Sequence, residues 1–399
     1  MTEVSEAYRL LQAHCPPPQV QTLKLQEAAG HVLAAHVEAP IDSPPFDQSA
    51  MDGYAIRYSD YREGQIYRVA GSVQAGDTGA FRCAPGEVLR IFTGAALPED
   101  CDTVIPQEYA EQEAGMVSFQ HPTLQAGDNV RPRGSQVFSG TPLPVQGRKL
   151  SPGLLGYLTT LGLSEVKVYK RPRIGLLITG RELVKPGSPL LPGQVYESNG
   201  DMLQAALDEA RLETVFRTHA DDEPEATLHG LRAALAVSDV VLCTGGISVG
   251  EHDYVRGALE QAGVQTLFYK VKQKPGKPLY AGLHGNQLVF ALPGNPAAVL
   301  ICFYRYVAPC LRALCGLHFM PPLQQRPLLH DWTKKGTLTH FLKARRSGDG
   351  VFLMEGQESY KLHSFADADC LLTIPADVQA IKAGTLCETL MLHDVWQAE

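Results

Sequence analysis

The sequence predicts a multidomain protein of α/β plus β class. The expected parts are a three-layer α/β domain with a mostly parallel sheet, an inserted small β domain, a helical elongated domain and a C-terminal β barrel. Three observations carry this expectation. From residue 171 onward, apolar runs of strand length alternate with helical stretches, the order of a parallel sheet covered on both faces. Residues 54–131 and 325–399 show only short apolar runs between turn formers, as small β modules do. The segments flanking the first β module, 1–38 and 132–170, both hold helical spacings, so that module reads as an insertion into a helical unit. With 399 residues there is ample chain for several cores.

Taken in order, Val4, Ala7, Leu10 and Leu11 fall at helical spacing, the prolines at 16–18 interrupt, and residues 23–35 resume the helical pattern. Residues 39–56 are dense in Asp, Ser and Pro, which in a loop is ordinarily a solvated surface, and they lead into a strand at Tyr54. Short strands are expected at 66–69, 88–92, 103–105 and 115–119. Residues 127–134 then bring Arg131 and Arg133 into one glycine-bounded loop. A Pro-started helix over 151–161 returns, and residues 164–169 end the elongated unit. Strands at 174–178, 212–217, 239–243, 266–271 and 288–291 alternate with helices at 200–210, 224–236 and 254–262. Pro321 and Pro322 mark a linker, and strands at 351–354, 370–374 and 385–392 suggest a small barrel. The domain boundaries are 1–38 with 132–170, then 39–131, 171–318 and 319–399.

In sheets of this kind ligands gather at the carboxyl ends of the strands. Four polar loops lie there: residues 179–182, 220–222, 244–246 and 293–296. The loop from Thr244 runs through Gly245, Gly246, Ser248 and Gly250 into a helix. Its backbone N–H groups suit a phosphate, although a plain turn between strand and helix has the same composition. Glu251 and Asp253 would repel a bare phosphate, so a phosphate with a divalent cation is the natural ligand. Asn295 is a good N-cap and Pro296 fits the first helical position, leaving helix N–H groups free toward the same edge. Lys270, Lys272, Lys274 and Lys277 cluster without an acid. They form either a solvated sheet edge or, in a chain of net charge −8, a local oxyanion site.

Composition excludes other classes. The chain is 44% hydrophobic and 20% charged, which favours neither disorder nor a membrane protein. Its net negative charge argues against nucleic-acid binding. The apolar stretch at 297–315 is broken by Arg305, Pro309 and Arg312, too interrupted to span a bilayer. Nine cysteines show no zinc spacing, and Cys243, Cys302 and Cys315 sit in apolar patterns, the usage of a reduced, cytoplasmic protein without a signal peptide.

Seven motifs in order carry a family resemblance: Ser49-Ala-Met-Asp-Gly-Tyr-Ala55, Phe92-Thr-Gly-Ala95, Asn129-Val-Arg-Pro-Arg-Gly134, Ser198-Asn199, Thr244-Gly-Gly-Ile-Ser-Val-Gly250, Lys274-Pro-Gly-Lys-Pro278 and Leu292-Pro-Gly-Asn-Pro296. Together they resemble the molybdopterin molybdenumtransferase family (MoeA and the E domain of gephyrin). The resemblance implies an elongated homodimer of four domains. Its α/β molybdopterin-binding domain is similar to that of the adenylyltransferases of the preceding step, with which transient contact is expected. It implies a Mg²⁺-assisted reaction in which adenylylated molybdopterin and molybdate yield molybdenum cofactor and AMP.

By the same resemblance Asp52, Glu182, Asp222 and Asp253 match the catalytic acids, and the last three match metal ligands. Asp52 is expected from the second subunit. Thr93, Arg131, Gly245, Gly246, Ser248, Gly250, Lys274, Lys277, Pro293, Pro296 and Ser364 match substrate-binding positions. Lys343 stands about where the family offers an arginine to molybdate. Two departures stand out: Gln136 and Arg181 replace acids of the family pattern. They make the surroundings more positive, which weakens a cation site and favours oxyanions. The alternative they raise is a catalytically impaired paralogue that binds or carries molybdopterin or the finished cofactor.

Overall fold

One sheet in the middle of the chain positions everything else. The computed structural model, which describes residues 1–247 and 254–397, gives this sheet six strands. Their spatial order is Thr214–Ala220, Ile174–Thr179, Val240–Thr244, Gln287–Leu292, Tyr280–His284 and Gln265–Tyr269. The first four run parallel, Tyr280–His284 runs antiparallel to both its neighbours, and Gln265–Tyr269 at the edge points the same way as the first four. Ile174–Thr179 and Val240–Thr244 are buried along their whole length, which is why they read as continuous apolar runs rather than alternating ones. The alternation is spatial instead. Leu176 and Ile178 pack with Leu203 and Leu207 of helix Asn199–Glu209 on one face. Leu177 and Val241 pack with Leu231 and Leu235 of helix Pro224–Val237 on the other. Strand Tyr280–His284, with Gly282 at its centre, was not legible as a strand; Gln265–Tyr269 and Gln287–Leu292 flank it and supply its pairing.

The stretch Pro296–Leu314 is one continuous helical segment, not an interrupted one. Its turn at Phe303–Val307 widens to a π-helix, and Pro309, which has no N–H to give, follows at the start of the next α-helical piece. Both arginines inside it are buried and partnered: Arg305 donates to the Tyr8 hydroxyl (2.8 Å) and pairs with Glu388 (3.3 Å), leaving only its Nη1 without a hydrogen bond, and Arg312 donates to the carbonyls of His318 (3.0 Å) and Gln397 (2.9 Å). The segment is long and apolar enough to cross a membrane, but 83% of its most apolar window is buried inside the protein.

The expected helical domain is not helical. Helix Val4–His14 forms, but its Ala7 and Leu11 join the core of the α/β sheet. Residues 23–35 form no α-helix: Val20–Lys24 is a strand paired antiparallel with Glu165–Tyr169, followed by a single 3₁₀ turn at Leu25–Glu27. Leu23 and Leu25 have a spacing compatible with either structure, and the distant partner strand decides. The unit around them packs Leu25, Leu33, Leu143, Leu158 and Val168 together and holds one α-helix, Pro152–Thr160, capped by the Ser151 side chain.

The inserted module is a six-stranded sheet of Thr103–Pro106, Gly53–Ile56, Glu87–Ile91, Ile66–Val73, Met116–Phe119 and Ala110–Glu113. Successive residues of Gly53–Ile56 feed two cores, Tyr54 and Ile56 on one face and Ala55 on the other. In the C-terminal region Gly350–Leu353, Thr339–Ser347, Cys370–Ile374, Leu386–Met391 and Leu323–Pro327 pair in sequence. A bridge from Leu328 back to Val351 closes the ring, so this region is a barrel. A sixth strand, Gln273–Lys274 from the α/β domain, adds parallel to Thr339–His340 on its edge.

Candidate active site

The four polar loops anticipated at the strand ends follow four strands that are neighbours in the sheet. Strands ending at Ala220, Thr179, Thr244 and Leu292 lie side by side and parallel, so their loops open on one edge. The turn after Thr244 depends on two glycines. Gly245 and Gly246 have φ of 82° and 59°. A Cβ on Gly245 would run into the Thr179 carbonyl oxygen, and one on Gly246 would stand 2.6 Å from Val255 Cγ2 and 2.9 Å from Thr179 Oγ1. The Gly245 and Gly246 turn therefore packs closely against the neighbouring strand end, where Thr179 Oγ1 donates to the Thr244 carbonyl (3.2 Å).

This edge forms one wall of a cleft of about 530 Å³. Glu182, Gly245, Gly246, Lys274, Lys277 and Pro293 line it from the α/β domain, and Leu338, Gln357 and Ser359 from the barrel. Six of the residues singled out in the sequence are thus brought together. The two lysines owe their position to Gln273, which sequence reasoning passed over. Its side chain is buried, with Nε2 donating to the carbonyls of Pro275 (3.1 Å) and Gly276 (3.0 Å) and Oε1 accepting from the Tyr306 hydroxyl. Strand alternation held the signal: Lys272 and Lys274 point one way, so Gln273 between them must point inward. Lys272, by contrast, pairs with Glu3 and stands apart from the cleft. On the barrel side of Lys274, burial and then the Lys334 and Lys274 charges push His340 down to about 4, leaving it neutral near pH 7.

The helix that begins at Pro296 does not offer free N–H groups to the cleft as expected. The Ala297 N–H donates to the Ser359 carbonyl (3.2 Å), and Asn295 uses its side chain on Ser359 Oγ (2.9 Å) instead of capping its own helix. Ser359 closes this end of the cleft and ties the barrel to the 293–296 loop; nothing in its local sequence marks it. Ser364 and Lys343 stand behind the cleft rather than in it. Both are buried, and Ser364 Oγ (3.0 Å to each) and Lys343 Nζ (2.8 and 3.0 Å) donate to the same two carbonyls, Gly356 and Lys361. Burial pushes Lys343 down to about 8.

The acids divide into two groups. Glu182 lines the cleft, and its neighbour Gly180 meets His219 Nε2 through its carbonyl (3.0 Å), tying two strand ends together. Asp222 follows the adjacent strand, and its Oδ1 is buried without a hydrogen-bond partner. Asp52 is elsewhere, in the inserted module: its Oδ1 accepts from the Thr93 N–H (2.8 Å) and hydroxyl (2.7 Å), which hold its carboxyl below the usual range. Arg131 lies on the same module, in the strand Val130–Arg131 that pairs with Gln48–Ser49. Asp52, Thr93 and Arg131 do not line the cleft. Of the substituted positions, Gln136 accepts a hydrogen bond from Ser43 Oγ (2.8 Å) and Arg181 is exposed. Ser248, Gly250, Glu251 and Asp253 lie outside the described residues. Among the described residues no group of three His, Cys, Asp or Glu side chains could hold a metal by itself.

Comparisons with known proteins agree with this geometry along the chain. Residues 2–162 match the MoeA N-terminal region (domain I and II), residues 175–313 a probable molybdopterin binding domain, and residues 325–392 the MoeA C-terminal region (domain IV). The molybdopterin molybdenumtransferase of Haemophilus influenzae is 38% identical over 301 residues, covering 75% of this chain and 74% of the relative. The enzyme of the same name from Staphylococcus aureus is 29% identical over 381 residues, 93% of this chain and 90% of its own. The crystal structure of a molybdopterin biosynthesis MoeA protein from Pyrococcus horikosii superposes with a TM-score of 0.84 at 30% identity, covering 98% of this chain and 99% of that one. A shared architecture from end to end, with the cleft-lining motifs in their family order, leaves one assignment: the chain belongs to the MoeA family of molybdopterin molybdenumtransferases.

Proposed function

We propose that this protein inserts molybdenum from molybdate into adenylylated molybdopterin, yielding molybdenum cofactor and AMP, in the cleft between the α/β domain and the barrel. One observation carries the proposal: a phosphate-type glycine loop, two lysines and a carboxylate converge on a single cleft of about 530 Å³. The Gly245 and Gly246 backbone holds a phosphate of the substrate. Lys274 and Lys277, fixed through Gln273, attract the molybdate dianion and lower its charge as it approaches a second anion.

Mg²⁺ fits these residues in a particular way. Mg²⁺ is ordinarily held by one or two carboxylates together with substrate phosphates and water. Glu182 in the cleft and Asp222, with one carboxylate oxygen unpartnered, supply that number on adjacent strand ends, whereas no protein-only cage exists among the described residues. When bound, the ion would neutralise charge on the phosphoanhydride that is cleaved.

The working unit in this proposal is a homodimer. Asp52 and Thr93 are already organised by mutual hydrogen bonds but stand apart from the cleft of their own chain, so they act on the cleft of a second copy. Phe46, Met51 and Phe138, all exposed, give the neighbouring surface the apolar character of a contact. The test is direct: purified protein with adenylylated molybdopterin, molybdate and Mg²⁺ should release AMP stoichiometrically with molybdenum uptake. Tight substrate binding with AMP release no higher than in protein-free controls would instead favour the carrier alternative. Gln136→Asp combined with Arg181→Asp then separates the causes, since a large gain in turnover is expected only if those two positions impair the site.

A further inference from the structure

Away from the cleft, separate parts of the chain meet around a set of cations with no acid among them in the described residues. His31 and Lys149 come from the unit that holds helix Pro152–Thr160, and Arg171 from the crossing into the α/β domain. Arg211 follows helix Asn199–Glu209, and Trp396 comes from the last described turn. Arg211 Nη1 and Arg171 Nη2 both lie within 3.4 Å of the point where a Cβ on Gly30 would stand. Lys149 Nζ donates to the Trp396 carbonyl (3.1 Å), which carries the ammonium to the same place. Among the described residues, none of Lys149, Arg171 and Arg211 forms an ion pair with a carboxylate. The Trp396 indole Nε1 is buried with no hydrogen-bond partner. Gly30, His31, Lys149, Arg171, Cys315 and Trp396 line a small cavity of about 30 Å³ here.

We propose that this junction is a binding site for a small monovalent inorganic anion of the halide class, chloride in ordinary buffers. The side chains present donors almost exclusively: an indole N–H, an ammonium and two guanidinium groups. Their charges act against one another as well. Partial burial first, and then the neighbouring cations, hold Lys149, Arg171 and His31 below their ordinary values. A water molecule would satisfy one or two donors but leave the charge uncompensated, whereas an anion does both. The cavity is small, about 30 Å³, which favours a compact monovalent ion over phosphate or molybdate. The bound anion would hold three separate segments in register.

Crystals of the full chain soaked in bromide should show an anomalous peak between Trp396 Nε1 and the Arg171 guanidinium. In solution, with ionic strength constant, replacing bulky gluconate by chloride should raise the melting temperature in a saturable way. At ten times the dissociation constant the folded-to-unfolded ratio should rise about elevenfold. Lys149→Met, at an exposed position, should fold and lose most of that response. The chain has two tryptophans, so Trp332→Phe leaves Trp396 as the only indole reporter, and its quenching by bromide should saturate. A bromide map without a peak, equal melting in both salts, or strictly linear quenching would each overturn the proposal. So would a chloride response seen only in Glu399→Gln, because the chain's own carboxylate would then be the occupant.

Discussion

Gln273→Met tests whether the lysine pair is held by one buried amide. Methionine keeps the length and apolar body of the side chain while removing all its hydrogen bonds. Four are lost: Nε2 to the Pro275 and Gly276 carbonyls at 3.1 and 3.0 Å, its weaker one to Cys302 Sγ at 3.6 Å, and the one Oε1 accepts from Tyr306. A neutral buried hydrogen bond contributes about 1 kcal/mol net, and stranding its partner adds to the loss, so about 3 kcal/mol is a fair lower figure for the set. A multidomain chain does not give a single unfolding free energy, so the readout should be local. The Val271 N–H donates to the Lys277 carbonyl (3.0 Å) and the Lys270 N–H to the Leu279 carbonyl (2.9 Å), which makes both amides reporters of the turn. Three kcal/mol of local destabilisation corresponds to roughly 150-fold faster hydrogen exchange. The molybdate concentration for half-maximal turnover should rise by more than kcat falls, because the lysines are mispositioned rather than removed. Exchange at Val271 and Lys270 within about threefold of the parent protein, together with an unchanged molybdate response, would refute the assignment of Gln273 as the holder of this turn.

Three other outcomes follow from the geometry. Gly245→Ala should abolish AMP release with the rest of the fold retained: its φ of 82° costs an L-residue about 1–2 kcal/mol, and its Cβ would meet the Thr179 carbonyl; substrate-binding titration and circular dichroism check the two halves. Lys343 is buried, and its folded-state pKa near 8 lies below the unfolded value of about 10.4. The unfolded chain therefore binds more protons between those values, and barrel stability should rise from pH 8 to pH 10; urea midpoints across that range should show the rise, and Lys343→Met should flatten it. In mixtures of Asp52→Asn with the double variant Lys274→Ala, Lys277→Ala, a dimeric site predicts that one intact cleft forms per mixed dimer. Equal mixing should recover about a quarter of parent activity from two inactive proteins, and no recovery in re-associated mixtures would place Asp52 in its own chain's site.

Much of the site was legible because its loops follow buried strands. Runs such as 239–243 announce a covered parallel sheet, and a glycine pair directly after one marks a strand end pressed against its neighbour. What the sequence hid depends on partners far along the chain. Leu23 and Leu25 fit a helix until Glu165–Tyr169 supplies the strand that pairs with residues 20–24. Arg305 and Pro309 look like interruptions of a helix, yet Tyr8, Glu388 and a widened turn absorb them. Ser364 and Lys343 match a pattern of oxyanion ligands by position, but both spend their donors on the Gly356 and Lys361 carbonyls. Ser359 carries no local signal, since its role is to accept from Ala297 across a domain boundary.

That boundary explains why the cleft needs both domains. Its lysine end is set by main-chain pairing of Gln273–Lys274 with Thr339–His340, and its proline end by Asn295 and Ala297 on Ser359. Register at the first contact is decisive because side chains alternate across a strand. A slip of one residue would turn Lys274 away from the cleft and aim the Gln273 amide into it, leaving Tyr306 and two carbonyls unsatisfied behind. The buried amide therefore fixes the register as well as the turn. His340, opposite Lys274 in that pairing, is neutral near pH 7 because burial first, and then the Lys334 and Lys274 charges, suppress its protonation. The barrel thus places the lysine without adding a third fixed cation, and in the proposed reaction the charge facing the molybdate dianion is that of Lys274 and Lys277.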